Sequence, residues 1–364
     1  MHSKNFNTIT DFKQRITKAY LKEWFPTFLK KKKKYWKDIF VYDFFTGEEY
    51  DVSGDYWGSP LIILNELIPY QDNILNENLR LNVVLNDSDH DKIKKLTSNV
   101  ILENYSFNIE FINEDFTELF HRSYPEMKKY GRINLPRLMF FNQQGVKYLT
   151  RDIFAKISDL KRTDFLLYTS SDSLDSYTNC KEFQKYLYTS GKDFDEHKPY
   201  QCHRIIFDYF KSMIPKNTEF YLSPFSLESK GNPKQVYGLI YGTRHLSSIE
   251  KFINSAWSLD GVCGEANFSI DGAIIEGLTY DLFNPSPRAK KLQYFKKDLV
   301  EAISDNNIRS LKDVYRYTFD YGCKPIPANK ILSELQGQGK INNNVQLKSS
   351  NIYKLDDQIS LEKS

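Results

Sequence analysis

The stretch Val41-Tyr42-Asp43-Phe44-Phe45-Thr46-Gly47-Glu48-Glu49-Tyr50-Asp51-Val52-Ser53-Gly54-Asp55-Tyr56-Trp57-Gly58-Ser59-Pro60 decides the fold. An apolar run ends in an acid and breaks at once into a glycine-bearing loop, which is how a nucleotide-type cofactor site usually begins. In open α/β sheets the ligand lies outside the carboxyl ends of the strands, where glycine lets the backbone come close and the next helix offers its N-terminus. The pattern predicts a strand over Ile39 to Tyr42, a turn over Asp43 to Gly47 and a helix beginning at Leu61.

Working outward, Leu79 to Leu85 reads as a buried strand closing on Asn86-Asp87, ahead of a charged helical pattern from Asp89 to Leu102. An acid in this place can accept hydrogen bonds from ribose hydroxyls. Asn108 to Ile112 ends in Asn113-Glu114-Asp115, an acid placed for an adenine amino group. Arg137 to Phe141 ends in Asn142-Gln143-Gln144-Gly145, and Phe165 to Tyr168 ends in Thr169-Ser170-Ser171-Asp172. Strands alternating with helical segments predict a doubly wound, Rossmann-like parallel sheet. The succession of acids at one rim is the arrangement expected of a class I S-adenosylmethionine-dependent methyltransferase. In that reading Asp43 and Gly47 shape the methionine end, Asp87 the ribose and Asp115 the adenine, while Asn142, with Gln143 beside it, faces a target amine. Each of these residues also has an ordinary role as a turn or helix-cap residue.

The chain resembles the three-Cys-motif partner proteins, methyltransferase-like bacterial proteins named for a neighbouring three-cysteine gene product of the radical S-adenosylmethionine kind. The resemblance rests on Lys18-Ala19-Tyr20-Leu21-Lys22-Glu23-Trp24, Asp43-Phe44-Phe45-Thr46-Gly47, Gly58-Ser59-Pro60-Leu61, Tyr241-Gly242-Thr243-Arg244-His245 and Glu265-Ala266-Asn267-Phe268. It implies methyl transfer with S-adenosylmethionine, to an amine on nucleic acid, beside a three-cysteine partner. Two departures accompany it. The family's Ala-Gly-Pro-Gly loop is Thr46-Gly47-Glu48-Glu49 here, and its Asp-Pro-Phe-Gly box is Asn142-Gln143-Gln144-Gly145. Both leave open a second reading: a methyltransferase fold without catalysis that serves as a nucleic-acid- or protein-binding scaffold in a bacterial defence or mobile-element module.

Composition fits a globular chain with a large core, since 40% of the 364 residues are hydrophobic and 15% aromatic. No segment approaches the length of an apolar membrane span, and Met1 to Asn7 is polar, so a soluble, cytoplasmic protein without membrane contact is expected. The cysteines Cys180, Cys202, Cys263 and Cys323 are far apart, which points to reduced thiols and away from a zinc ribbon or an iron-sulfur cluster. His197, Cys202 and His203 are the nearest approach to a ligand set, and adjacent Cys and His side chains diverge.

Bases outnumber acids in residues 1–40 and 281–364, whereas acids prevail in 41–280. The sharpest basic feature is Lys30-Lys31-Lys32-Lys33-Lys34, flanked by Trp24, Phe25, Phe28, Tyr35 and Trp36. Lys31, Lys32 and Lys33 can meet phosphates while the rings offer stacking surfaces; the alternative is a solvated linker. Before it, Thr10 to Phe25 is amphipathic, and Pro26 interrupts it.

Residues 173–215 read as a helical insertion, with a helix over Gln201 to Met213. Phe220 to Pro224 and Val236 to Tyr241 read as a closing antiparallel hairpin, after which either Arg244 or His245 reaches a substrate or Thr243 to Ser247 forms a helix cap. Gly261 to Gly277 reads as a loop. From Leu292 onward the pattern is helical, and the stretches Leu299 to Ile303, Ser310 to Phe319 and Ala328 to Gln336, then Gly337 to Ile341, outline a winged-helix-like region. Asn329, Lys330 and Ser333 face outward on its second helix; Lys330 is its one base for nucleic acid and Glu334 is acidic, which favours docking of a protein or backbone contact over sequence-specific readout. The expected organisation is therefore a helix and basic linker (1–40), a methyltransferase-like domain (41–280), the winged-helix-like region (281–345) and a flexible tail (346–364).

Overall fold

The computed structural model describes residues 9–29, 36–48, 57–100, 105–130, 135–141, 148–170, 177–194, 199–229, 232–259, 287–341 and 346–348. Seven strands are joined edge to edge: β1 (Asp38–Asp43), β2 (Arg80–Asn86), β3 (Asn108–Ile112), β4 (Arg137–Phe141), β5 (Thr163–Ser170), β6 (Tyr221–Ser229) and β7 (Asn232–Thr243). Their spatial order is β3-β2-β1-β4-β5-β7-β6, with β1 to β5 parallel and β7 antiparallel to both of its neighbours. The order reverses beside β1, so the crevice of an open α/β sheet falls at the end of that strand. This is a Rossmann-like, doubly wound sheet, closed by the expected antiparallel hairpin.

Alternation along the strands divides the apolar residues between two faces. Ile39, Val41, Leu81, Val83, Leu85, Leu138, Phe140, Leu166 and Tyr168 belong to one core. Tyr42, Phe44, Val84, Met139, Phe141, Phe165 and Leu167 belong to the other. The first face is covered by α1 (Ile9–Trp24), α3 (Ser59–Leu67), α5 (His90–Val100) and α10 (Leu246–Leu259). Between these elements lie the short helices α2 (Pro26–Leu29) and α4 (Gln71–Asn76). The second face is covered by α6 (Phe116–Tyr130), α7 (Arg151–Asp159), α8 (Lys181–Ser190) and α9 (Pro199–Met213). Among the described residues, no helix is long and apolar enough to cross a membrane.

Three C-terminal helices, α11 (Pro287–Ser304), α12 (Leu311–Asp320) and α13 (Pro325–Gly337), extend the first core through Leu299, Val314 and Leu332. They dock against α10 and α9: Trp257 Nε1 donates to the Gly322 carbonyl at 3.0 Å, and Lys211 meets Asp320 at 2.9 Å. Ser310 caps α12 in a capping box with Asp313, and Ser310 and Ile341 are isolated bridge residues. Helix α11 begins at Pro287, one to two turns before the expected Leu292, because Pro287 suits a first turn and the Lys-rich stretch favours helix without showing an apolar stripe. Asn329 does not face outward free of contacts: its amide donates to the Leu347 carbonyl at 3.0 Å and accepts from the Leu347 N–H at 2.6 Å, and Leu347 is buried. The stretch Gly261 to Gly277 lies outside the described residues.

Helix α1 runs against the sheet in the direction opposite to β5, and buried hydrogen bonds fix it there. Near the start of β5 the Asp164 carboxylate accepts from Trp24 Nε1 at 2.8 Å, from Tyr20 Oη at 3.2 Å and from Thr243 Oγ1 at 2.6 Å. Tyr20 and Tyr241 share a hydroxyl hydrogen bond of 2.6 Å. At the other end of β5, Thr17 and Tyr168 share one of 2.5 Å. Burial raises the Asp164 carboxyl above its usual range, against the pull of these donors. Trp24→Phe keeps the ring but removes a donor to a buried acid, so we expect unfolding free energy to fall by about 1.5–3 kcal/mol in a urea titration. An unchanged midpoint would show that the network does not hold α1.

Candidate functional site at the carboxyl ends of β1, β2 and β3

Four predicted cofactor residues, Asp43, Gly47, Asp87 and Asp115, lie together on the described rim. Asp43 ends β1 and pairs in register with Leu85 of β2 and Phe140 of β4. The chain then turns through Gly47, whose φ of +68° is the left-handed conformation that glycine adopts without strain. Its N–H donates to Asp87 Oδ2 at 2.8 Å, so the loop leaving β1 is tied to the end of β2. Asp87 Oδ1 accepts from the Asp89 N–H at 2.9 Å. Each carboxylate oxygen has a second lone pair, so half-buried Asp87 can still accept from a ligand's hydroxyls. Asp115 Oδ1 accepts from the Thr117 N–H at 2.8 Å, an N-cap contact at the start of α6 that leaves Oδ2 available to a ligand.

Asn86 holds the three strand ends in place, a role its sequence position did not reveal. Its side-chain N–H groups donate to the carbonyls of Phe44 and Glu114, both at 3.1 Å, and its oxygen accepts from the Glu114 N–H at 3.2 Å. The Thr46 N–H also donates to the Asn86 carbonyl at 2.9 Å. Asn86 is buried, so no water replaces these bonds.

Asp43 is itself buried, and Ser59 Oγ at the start of α3 donates to its Oδ2 at 2.5 Å, while the Phe45 N–H donates to Oδ1 at 3.3 Å. Burial raises its carboxyl from the usual 3.8 to about 6, against the lowering effect of Ser59, Phe45 and Lys13; Asp87 adds to the rise. Lys13, delivered by α1, is the second unforeseen residue. Its ammonium stands 5.4 Å from the centre of the Tyr168 ring, and burial lowers its pKa from 10.5 to about 8, while Asp43 acts the other way. A single lysine on the polar side of an amphipathic helix gives no sequence signal for such a place.

Other expected residues are differently placed. Asn142 and Gln143, with the rest of their box, and Lys31, Lys32 and Lys33 lie outside the described residues. Lys330 is exposed on α13, which packs mainly against α11 and α12 rather than against the sheet's described strands. Arg244 and His245 are not at the rim: β7 runs antiparallel to β5, so its last residues lie beside the start of β5, where Gly242 pairs with Phe165. There the Thr243 hydroxyl accepts from the His245 N–H at 3.1 Å, and Arg244 donates to the Asp159 carbonyl at 3.2 Å. Cys202 and His203 are buried on α9, and a Cβ at Gly238 of β7 would overlap the His203 ring. No group of three or more metal-ligating side chains occurs among the described residues.

No protein-family model matches the chain. No curated protein sequence matches it either. Among solved structures, a chain described as an rRNA methylase from Clostridium thermocellum is 14% identical, with a TM-score of 0.31, over 62% of this chain and 96% of its own. The cyclopropane synthase MmaA2 from Mycobacterium tuberculosis is 10% identical, with a TM-score of 0.27, over 70% of this chain and 72% of its own. The strand order and register described above, rather than these similarities, carry the fold assignment.

The raised Asp43 carboxyl makes stability depend on pH. An acid that binds its proton more tightly when folded contributes stability that is complete below its unfolded pKa and lost as pH rises through its folded value. Between pH 3.8 and about 6 the Asp43 contribution therefore falls by an amount on the order of 3 kcal/mol. Asn in place of Asp43 should flatten that part of the stability profile relative to wild type, measured by chemical denaturation at several pH values. Parallel profiles for the two proteins would contradict the assignment.

Proposed function

We propose that the chain binds S-adenosylmethionine along this rim and transfers its methyl group to an amine. The observation that supports this most is the juxtaposition of Asp43, Gly47 and Asp87 at the ends of two adjacent parallel strands. Asp87 keeps lone pairs for ribose hydroxyls, Asp115 keeps one oxygen for an adenine amino group, and the glycine turn brings the backbone close without a side chain in the way. Glu48, one of the two acids in the altered loop, is exposed and directed towards Lys95 of α5 at 4.0 Å, which turns its charge out of the site.

The cofactor supplies a sulfonium-activated methyl group when bound. The chain's task is then to orient the donor and exclude water, which needs little acid-base machinery. The amine takes the methyl with its lone pair, the carbon–sulfur bond breaks towards sulfur, and the ammonium product releases a proton to solvent. As acceptor we propose an amine on nucleic acid, and as partner a three-cysteine protein. These rest on the motifs shared with the three-Cys-motif partner proteins, on exposed Lys330 and on the basic ends of the chain. The winged-helix-like reading of α11 to α13 belongs with them and is supported by three successive helices followed by the bridge residue Ile341. The second reading, a scaffold without catalysis, is favoured by the Glu48-Glu49 and Asn142 to Gly145 departures.

Calorimetric titration of the full chain with S-adenosylmethionine separates the two. The enzyme reading predicts saturable binding that Asp87→Ala weakens about 10-fold or more, as expected for loss of charge-assisted hydrogen bonds. Absence of binding to wild type would support the scaffold.

A further inference from the structure

Arg137 opens β4 on the same face as Met139 and Phe141, and its side chain is buried there. The guanidinium donates from Nη2 to the Met127 carbonyl at 2.8 Å and from Nη1 to the carbonyls of Leu135 and Lys161, both at 3.4 Å. Among the described residues no carboxylate pairs with it. Carbonyl dipoles offset only part of the desolvation of a buried cation, which is ordinarily met by an anion. The Tyr42 hydroxyl stands beside the guanidinium, and burial holds its phenol above the usual range, so it keeps its proton. A guanidinium has five N–H groups, and the three carbonyl contacts leave the others for Tyr42 and a further acceptor.

Arg137 and Tyr42 line a pocket of about 190 Å³ between the sheet and the inner face of α6. The sheet side is a row of near-parallel rings, Phe40, Tyr42 and Phe44, with successive centroids 5.8 and 5.4 Å apart. On the α6 side the small Ser123 leaves the space open. The exposed lining residues form the mouth. Glu110 and Glu126 have no ion-pair partner there among the described residues, while Arg122 is held by Glu114 at 2.7 Å. None of Asp43, Gly47, Asp87 and Asp115 lines this pocket, and Arg137 lies in register with Phe40, towards the end of the sheet opposite the rim.

We propose that the pocket is a second ligand site, for a planar monocarboxylate of about benzoate size, with the carboxylate on Arg137 and Tyr42 and the ring along the Phe40, Tyr42 and Phe44 row. The size follows from the volume: a cavity of about 150 Å³ holds benzene, so about 190 Å³ suits benzene with a carboxylate added. The charge follows from the floor, where a charge-assisted, forked hydrogen bond to Arg137 supplies the anion that the chain does not. The mouth sets the other end of the ligand, because Glu110 and Glu126 oppose a second negative charge. The site stands whether or not the rim binds S-adenosylmethionine.

Arg137 also ties the last turn of α6 to the chain entering β4 and β5, so the variants that test the site spare it. The full chain is titrated with benzoate, with benzyl alcohol as the uncharged comparison and terephthalate as the dianion, and binding is read by ligand-observed NMR. We expect saturable benzoate binding with a Kd of about 1 mM or tighter, and both comparison compounds weaker by about 10-fold or more. Tyr42→Phe keeps the ring row and removes one donor, which should weaken benzoate about 5- to 10-fold. Ser123→Leu fills the pocket and should abolish binding. Wild type that does not saturate well above the expected Kd overturns the site. So does benzyl alcohol or terephthalate binding as tightly as benzoate, or undiminished benzoate binding to Ser123→Leu. Circular dichroism melts show whether each variant folds; if Ser123→Leu does not, undiminished binding to Tyr42→Phe overturns the site.

Discussion

A carboxylate buried at the start of β5 has to be satisfied from several sides, and much of the architecture follows from how that is done. Asp164 draws Trp24 and Tyr20 from α1 and Thr243 from β7. An unpaired charge in such surroundings would cost several kcal/mol, so the bonds come as a set. They fix the helix across the sheet, and they join β5 to the antiparallel strand that reverses the sheet's direction. Because α1 runs opposite to β5, clamping its C-terminal end at the base of the sheet brings its N-terminal half to the rim. Thr17 meets Tyr168 there, and Lys13 lies one turn beyond. A structural network at one edge thus determines which charge stands at the other.

The rim has its own internal order. Asn86 binds the chain leaving β1 to the chain leaving β3, and Asp87 binds the Gly47 turn. These bonds hold backbone in place and leave carboxylate lone pairs facing outward, which is what a preorganised ligand site requires. Asp43 differs from Asp87 in being enclosed. Burial raises its carboxyl, and a cation placed beside it acts in the opposite direction.

Sequence made the sheet legible because five apolar runs each ended in a polar turn and the sixth and seventh followed one another as an antiparallel hairpin. Strand β5 extends beyond its apolar run because Asp164 is a charged residue inside a strand, and the partners that permit it lie far away in sequence. Asp43, Gly47, Asp87 and Asp115 were legible as strand-end residues. Asn86 and Ser59 looked like ordinary turn and helix-start residues, since their bonds run to other strand ends. Lys13 was invisible for the same reason: its neighbours Asp43 and Tyr168 are brought to it only by tertiary packing. Of the two readings of Thr243 to Ser247, the helix cap agrees with the Thr243 hydroxyl accepting from the His245 N–H, while the substrate-facing one fails because adjacency to a strand end says nothing until the direction of that strand is known.

The most direct test of the account is a crystal structure of the chain with S-adenosylhomocysteine. The account predicts ligand density along the ends of β1, β2 and β3, with ribose hydroxyls on Asp87, adenine towards Asp115 and the amino-acid end towards Asp43 and Gly47. Ligand bound elsewhere, or lying on this rim with its ribose away from Asp87, would contradict it.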